Sequence, residues 1–181
     1  VVDNVNNKMV FSGGGGTVTV NGELDATGTG SLYLVGHYVT NNGAILCPGG
    51  LVVMAAGDTL HLGQPGSSVI VETADLVDVD GSNAVFNNGT VGEEGNPVDK
   101  LVLAAGDVWS QAIENVGELA VVATDDIGIS GNVTATGDMT ITAGIEASYY
   151  ADADLTINGD ATSGGNMTLT GGDGWYDDVV V

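Results

Sequence analysis

Leu51-Val-Val-Met-Ala-Ala-Gly-Asp58 returns, one residue shorter, as Leu101-Val-Leu-Ala-Ala-Gly-Asp107. Each copy is a short apolar strand that stops at a Gly-Asp turn. Similar strand-and-turn units fill the rest of the chain: Thr17-Val-Thr-Val-Asn-Gly22, Asp138-Met-Thr-Ile-Thr142 and Asn166-Met-Thr-Leu-Thr-Gly-Gly172. Such self-similarity outranks any single motif, because it marks architectures in which each unit must stack on its neighbours to bury its apolar face. It predicts an all-β fold, a parallel β-helix or β-solenoid formed as a single domain over residues 1–181.

Period-2 alternation supports this reading. Strands are expected at Thr17–Val20, Ser31–Val35, Leu51–Ala55, Thr59–Leu62, Ser68–Glu72, Leu76–Val79, Leu101–Ala105, Leu119–Ala123, Asp138–Thr142, Leu155–Asn158 and Asn166–Thr170. Asn-Gly and Gly-Gly pairs separate them, and both tolerate the positive φ that sharp corners require. Strand follows strand every 8–12 residues or so, but main strand follows main strand about every 17–20. A sandwich would show only the shorter spacing; the longer one fits a coil of several strands. The strands at Ser31, Leu51, Ser68, Leu101, Glu118 and Asp138 are then expected in one sheet, with an extra coil near Ala84–Val91. Inward positions should be Val18, Val20, Leu32, Leu34, Val52, Met54, Val69, Val71, Leu103, Leu119, Val121, Met139, Ile141, Leu155, Ile157, Met167 and Leu169. Outward asparagines stacked at one corner can form hydrogen-bonded ladders. Only Gln111–Leu119 approaches a helical period.

Composition narrows the function. The chain is 43% apolar, too hydrophobic for the disordered class. Its 30 glycines show no three-residue period, which excludes collagen. The net charge of -22 repels phosphate backbones and anionic membranes, which excludes nucleic-acid binding. No stretch reaches the apolar length of a membrane span. Cys47 is the one cysteine, read as a small buried side chain, or else as an intermolecular disulfide or a reactive thiol. The chain starts at Val1 and is read as a processed or excised part of a longer precursor.

The stretch from Ser31 to Leu62 contains Asn42-Gly43, Ile45, Pro48-Gly49-Gly50 and Ala55-Ala56-Gly57-Asp58. In that order these residues resemble the filamentous-haemagglutinin-like exoproteins of two-partner secretion. The close match covers about 30 residues, while units such as Gly131–Thr142 resemble the repeats that follow in those exoproteins. The resemblance implies a right-handed parallel β-helix, an extracellular or cell-surface location, and adhesive or filament-forming work. The chain departs from the pattern in its shortened amino-terminal segment and its near absence of basic residues.

Chemistry is sparse. A lyase acting on an acidic sugar needs a basic side chain, and the chain has only Lys8 and Lys100 and no arginine. A glycosidase needs two carboxylates across a groove; Asp125-Asp126, Asp152/Asp154 and Asp177-Asp178 are formal pairs in a chain crowded with acids. His37 and His61 lack metal-type spacing. Gly13–Gly16 lacks the Gly-Lys-Ser/Thr ending of a phosphate loop. The best metal candidate is a Ca²⁺ cluster of Asp75, Asp78, Asp80 and Asn83, since Ca²⁺ takes carboxylate and carbonyl oxygens from flexible loops. Glu93-Glu94 with Asp99, and Asp173 with Asp177-Asp178, are lesser clusters. Trp109, Trp175, Tyr149, Tyr150 and Tyr176 offer aromatic surface for sugars.

The expected function is therefore not enzymatic. Val1 and Val2 at one end, and Val179, Val180 and Val181 at the other, are apolar and strand-like where a solenoid usually carries a polar cap. They are expected to dock copies of the chain head to tail into an extracellular filament, sheath or surface layer. The alternative is an adhesin segment whose lateral face binds glycans or neighbouring cells.

Overall fold

The computed structural model describes residues 2–5, 8–12, 15–26, 30–63, 71–72, 83–145, 153–172 and 178–181. The described chain is all-β and contains no helix. A hairpin of β1 (Val2–Val5) and β2 (Lys8–Ser12) precedes a recurring pattern of short strands. A first circuit holds β3 (Thr17–Val20), β4 (Glu23–Asp25) and β5 (Ser31–Gly36). A second holds β6 (Tyr38–Asn41), β7 (Ala44–Leu46) and β8 (Leu51–Ala56). The pattern breaks for β9 (Thr59–Gly63) and β10 (Val71–Glu72), then resumes with β11 (Ala84–Asn87), β12 (Thr90–Val91) and β13 (Val98–Ala105). Next come β14 (Asp107–Ser110) and the long β15 (Ile113–Ala123). After them run β16 (Ile127–Ile129), β17 (Val133–Ala135) and β18 (Met139–Thr142). The last are β19 (Leu155–Ile157), β20 (Ala161–Ser163), β21 (Met167–Thr170) and β22 (Val179–Val180).

Apart from β1, β2, β9 and β10, the strands pair in parallel with strands of neighbouring circuits. One sheet runs β3-β6-β11-β14-β16-β19-β22, a second β4-β7-β12, and a third β5-β8-β13-β15-β17-β20, in which β15 also pairs β18 and β18 pairs β21. A parallel sheet whose pairing partners are whole circuits apart is compatible with a β-solenoid. The register is strict. Leu34 faces Met54, Met54 faces Leu103, Leu103 faces Val121, Val121 faces Ile141, and Ile141 faces Leu169. A slip of one residue would turn every one of these side chains outward, so alternation and burial together fix the pairing.

The core lies between the parallel sheets. Val39, Ile45, Met54, Leu103, Val121, Ile127, Ile141 and Leu155 belong to one buried cluster. A second cluster sits on the outer face of the third sheet, where Val53, Ala55, Val102 and Ala104 are buried. Both faces of β8 and β13 are therefore covered. That is why Leu51–Ala56 and Leu101–Ala105 read as unbroken apolar runs instead of alternating. Phe11 of β2 packs on this outer cluster. It belongs to the antiparallel sheet β1-β2-β9-β10, which lies outside the parallel pairing.

Several expectations change. The strand at Ser68–Glu72 does not join the sheet of Leu51 and Leu101: β8 pairs directly with β13, Val52 facing Leu101, and residues 71–72 pair antiparallel with β9. Residues 68–70, including Val69, and the expected strand at Leu76–Val79 lie outside the described residues. Strands do form at Ala84–Val91, where the extra coil is expected: β11 pairs in parallel with β6 and β14, and β12 with β7. Gln111–Leu119 is not helical. Most of it falls in β15, where the alternating burial of Ile113, Val116, Leu119 and Val121 overrides its local helical pattern. Asn-Gly corners do not use positive φ. Among the described glycines only Gly15, Gly49, Gly92, Gly95 and Gly144 have it.

Candidate functional site

The outermost strands carry the most exposed apolar residues. Met139 is 1% exposed, yet Met167, its partner on the next strand, is 41% exposed. Leu155 is fully buried, while its partner Val179 is 48% exposed. Val180 and Val181 are exposed as well. Interior positions thus become surface where no further strand among the described residues covers them. At the opposite edge Val18, Leu24, Leu32 and Leu34 are only partly buried. The amino-terminal valines are placed differently. Val2 pairs with Phe11 on β1, an outer strand of the antiparallel sheet and not of the parallel ones, and Val1 lies outside the described residues.

Two asparagine ladders tie the early circuits together. The inner one is buried: Asn41 Nδ2 donates to Asn87 Oδ1 at 2.9 Å, and Asn87 Nδ2 donates to Ser110 Oγ at 3.1 Å. The outer one is exposed: Asn88 Nδ2 donates to Asn42 Oδ1, and Asn42 Nδ2 donates to Asn21 Oδ1, each at 3.0 Å. In-register parallel strands set equal side chains one strand spacing apart, about 4.8 Å, which is amide-ladder distance. The glycines beside the outer ladder stack too. A Cβ on Gly43 would run into the Gly22 carbonyl oxygen, and one on Gly89 into that of Gly43.

Aspartates occupy another corner. Asp107 Oδ1 accepts the Asp126 N–H at 3.2 Å, Asp126 Oδ1 accepts that of Asp154 at 2.9 Å, and Asp154 Oδ1 accepts that of Asp178 at 2.9 Å. All three formal carboxylate pairs contribute one member to this row. Those members sit at one position on successive strands, joined through backbone, and do not face each other across a groove. Asp125 is described apart from the row, while Asp152 and Asp177 lie outside the described residues. Asp58, the counterpart of Asp107 in the repeat, instead meets His37 Nδ1 at 3.2 Å. The chain after Asp58 leaves for the antiparallel sheet, whereas the chain after Asp107 starts a new circuit.

Of the calcium candidates, Asp75, Asp78 and Asp80 lie outside the described residues, and Asn83 is buried at 1% exposure. Among the described residues no three acidic, histidine or cysteine side chains gather as a metal site. Cys47 is buried in the core. Its thiol donates to the Gly30 carbonyl at 3.7 Å, and burial pushes its pKa up. It is held as an interior side chain. Trp109 is 40% exposed on the outer face of the first sheet, its ring over Gly128, where any Cβ would collide with it. The other candidate aromatics lie outside the described residues.

One open groove of about 580 Å³ is bounded by Glu94, Glu114, Asn115, Val116, Thr134 and Thr136, among others. Nothing in the repeat pattern points to it, because it forms where the pattern is broken. The register of β15 against β17 shifts between Ile113 and Val116. At that shift Asn115 has φ 60°, the one positive value for a non-glycine among the described residues. A departure from the spacing of apolar residues near Asn115 is the signal that marks it. Among protein-family models, curated proteins and solved structures, none matches this chain.

Proposed function

We propose that the chain is a non-enzymatic structural subunit, a right-handed β-solenoid of the filamentous-haemagglutinin-like style, that works outside the cell by stacking end to end with copies of itself. The observation that carries this reading is the contrast between Met139 and Met167, and between Leu155 and Val179. Each pair holds the same interior position, and only the outer member meets solvent. Among the described residues β3 and β22 are the outer strands of one parallel sheet, with backbone donors and acceptors along one side. An open, apolar strand edge is a template for pairing with another chain. Joining the β22 edge of one copy to the β3 edge of the next is a heterologous contact. Such a contact repeats without closing and yields a filament.

The charge argues for the same outcome in a salt-dependent form. A surface at -22 keeps copies apart at low ionic strength and lets them meet when screened. Sedimentation velocity over a wide concentration range, with electron microscopy of the concentrated sample, tests the reading. Concentration-dependent growth into rods is expected. A monomer at every concentration, with and without Ca²⁺, would sink it.

A further inference from the structure

The groove at Asn115 is lined by β15, β17 and the segment just before β13, none of them an outermost strand of its sheet. Its backbone is built around a costly feature. A non-glycine residue in the left-handed region costs roughly 1–2 kcal/mol, less for asparagine. Here a second residue is fitted to it: Gly92, itself at φ 73°, admits the bulge because a Cβ would sit 2.6 Å from the Asn115 carbonyl oxygen. Bulges re-aim side chains beside binding sites, and strained residues gather there.

The side chains at the groove are uncommitted. Every amide of the two asparagine ladders is engaged. In contrast, among the described residues the Asn115 amide, the Thr134 hydroxyl and the carboxylates of Glu94 and Glu114 make no hydrogen bond to protein. Together they offer both donors and acceptors around a space of ligand size. None of the lining residues is cationic, so a sulfated or carboxylated ligand would find no counter-charge and would be repelled by the -22 surface. Vicinal hydroxyls, which both donate and accept, match this set.

We infer that the groove over the Asn115 bulge binds a neutral saccharide, with the Asn115 amide and Thr134 hydroxyl making the orienting hydrogen bonds and Glu94 and Glu114 accepting from sugar hydroxyls. The test is saturation-transfer NMR on the 181-residue chain with maltotriose, cellotriose, galactobiose and N,N′-diacetylchitobiose. Transfer to at least one sugar is expected. Asn115→Gly keeps the left-handed backbone and the fold, and should weaken binding about tenfold, as the loss of one or two hydrogen bonds does. Glu114→Gln should weaken it less. No transfer to any of the four, transfer unchanged in Asn115→Gly, or binding of Ca²⁺ alone by calorimetry would each overturn the inference.

Discussion

Asn41 and Asn87 stand one above the other inside the core, 46 residues apart in sequence, joined by an amide hydrogen bond of 2.9 Å. Asn41 also donates to the Thr90 carbonyl and accepts from the Gly43 N–H, and Asn87 continues the chain of bonds to Ser110. A buried network that is fully engaged holds one register and tolerates no partial loss. Replacing Asn87 by alanine removes two bonds, strands their partners and leaves a void. We expect a loss of about 2–4 kcal/mol, seen as a lower urea midpoint. Asn88→Ala, in the exposed ladder, should cost under about 1 kcal/mol in the same measurement, because water replaces the lost partner.

The Asn-Gly corners make a sharper contrast. Gly22 has open space around its Cβ position, whereas Gly43 and Gly89 each face the backbone of the preceding circuit. Gly22→Ala should be neutral or stabilise by about 0.5 kcal/mol through the unfolded chain. Gly89→Ala should cost about 2–4 kcal/mol or prevent folding, since backbone must move. Thermal melts of the two variants check this, and equal effects would contradict the stacked corner.

Met139 and Met167 separate stability from assembly. Met139→Ala removes a buried side chain and should cost about 2–5 kcal/mol. Met167→Asp alters an exposed position and should leave the melting temperature within a few degrees, yet abolish rod growth. If Met167→Asp assembles as well as the parent chain, the outer strands are not the contact.

Ionic strength offers a test without mutation. The screening length falls from about 30 Å at 0.01 M salt to about 10 Å at 0.1 M. Assembly measured by light scattering should therefore rise over that range. A fall would mean that attraction between charges, not apolar contact, joins the copies.

Cys47 gives a pH-dependent prediction. Burial raises its pKa in the folded state, so the thiol stays neutral there while an unfolded thiol ionises near pH 8.5. The unfolded state then gives up its proton first. Its contribution to stability is intact below that pH and declines as pH rises above it toward the folded value. Urea titrations from pH 7 upward should show a decline that Cys47→Ala lacks. Alkylation by iodoacetamide at pH 8 should be slow until urea is added.

Much of the fold was legible in the chain itself. Alternation along Thr17–Val20, Met139–Thr142 and Met167–Thr170 names strands and inward faces, because a pleated strand turns successive side chains to opposite sides. The copy of Leu51–Asp58 at Leu101–Asp107 names the repeat, and the pairing of Met54 with Leu103 follows it when the copies are aligned from their Gly-Asp ends. What the chain could not state is which strands meet. Leu51–Ala56 and Leu101–Ala105 pair although β9 and β10, which join the antiparallel sheet, lie between them in the chain, and no local signal separates a strand that stacks from one that leaves. For the same reason the two Gly-Asp turns diverge, Asp107 into a backbone ladder and Asp58 to His37. The asparagines at 41 and 87 look like corner residues and turn inward, since a polar row can be buried once each amide finds the next. The groove at Asn115 exists only because a bulge and a glycine from distant segments fit each other. Local periodicity set the faces of the strands. Long-range packing, which depends on neighbours absent from any short window, decided the partners, the buried polar row and the groove at Asn115.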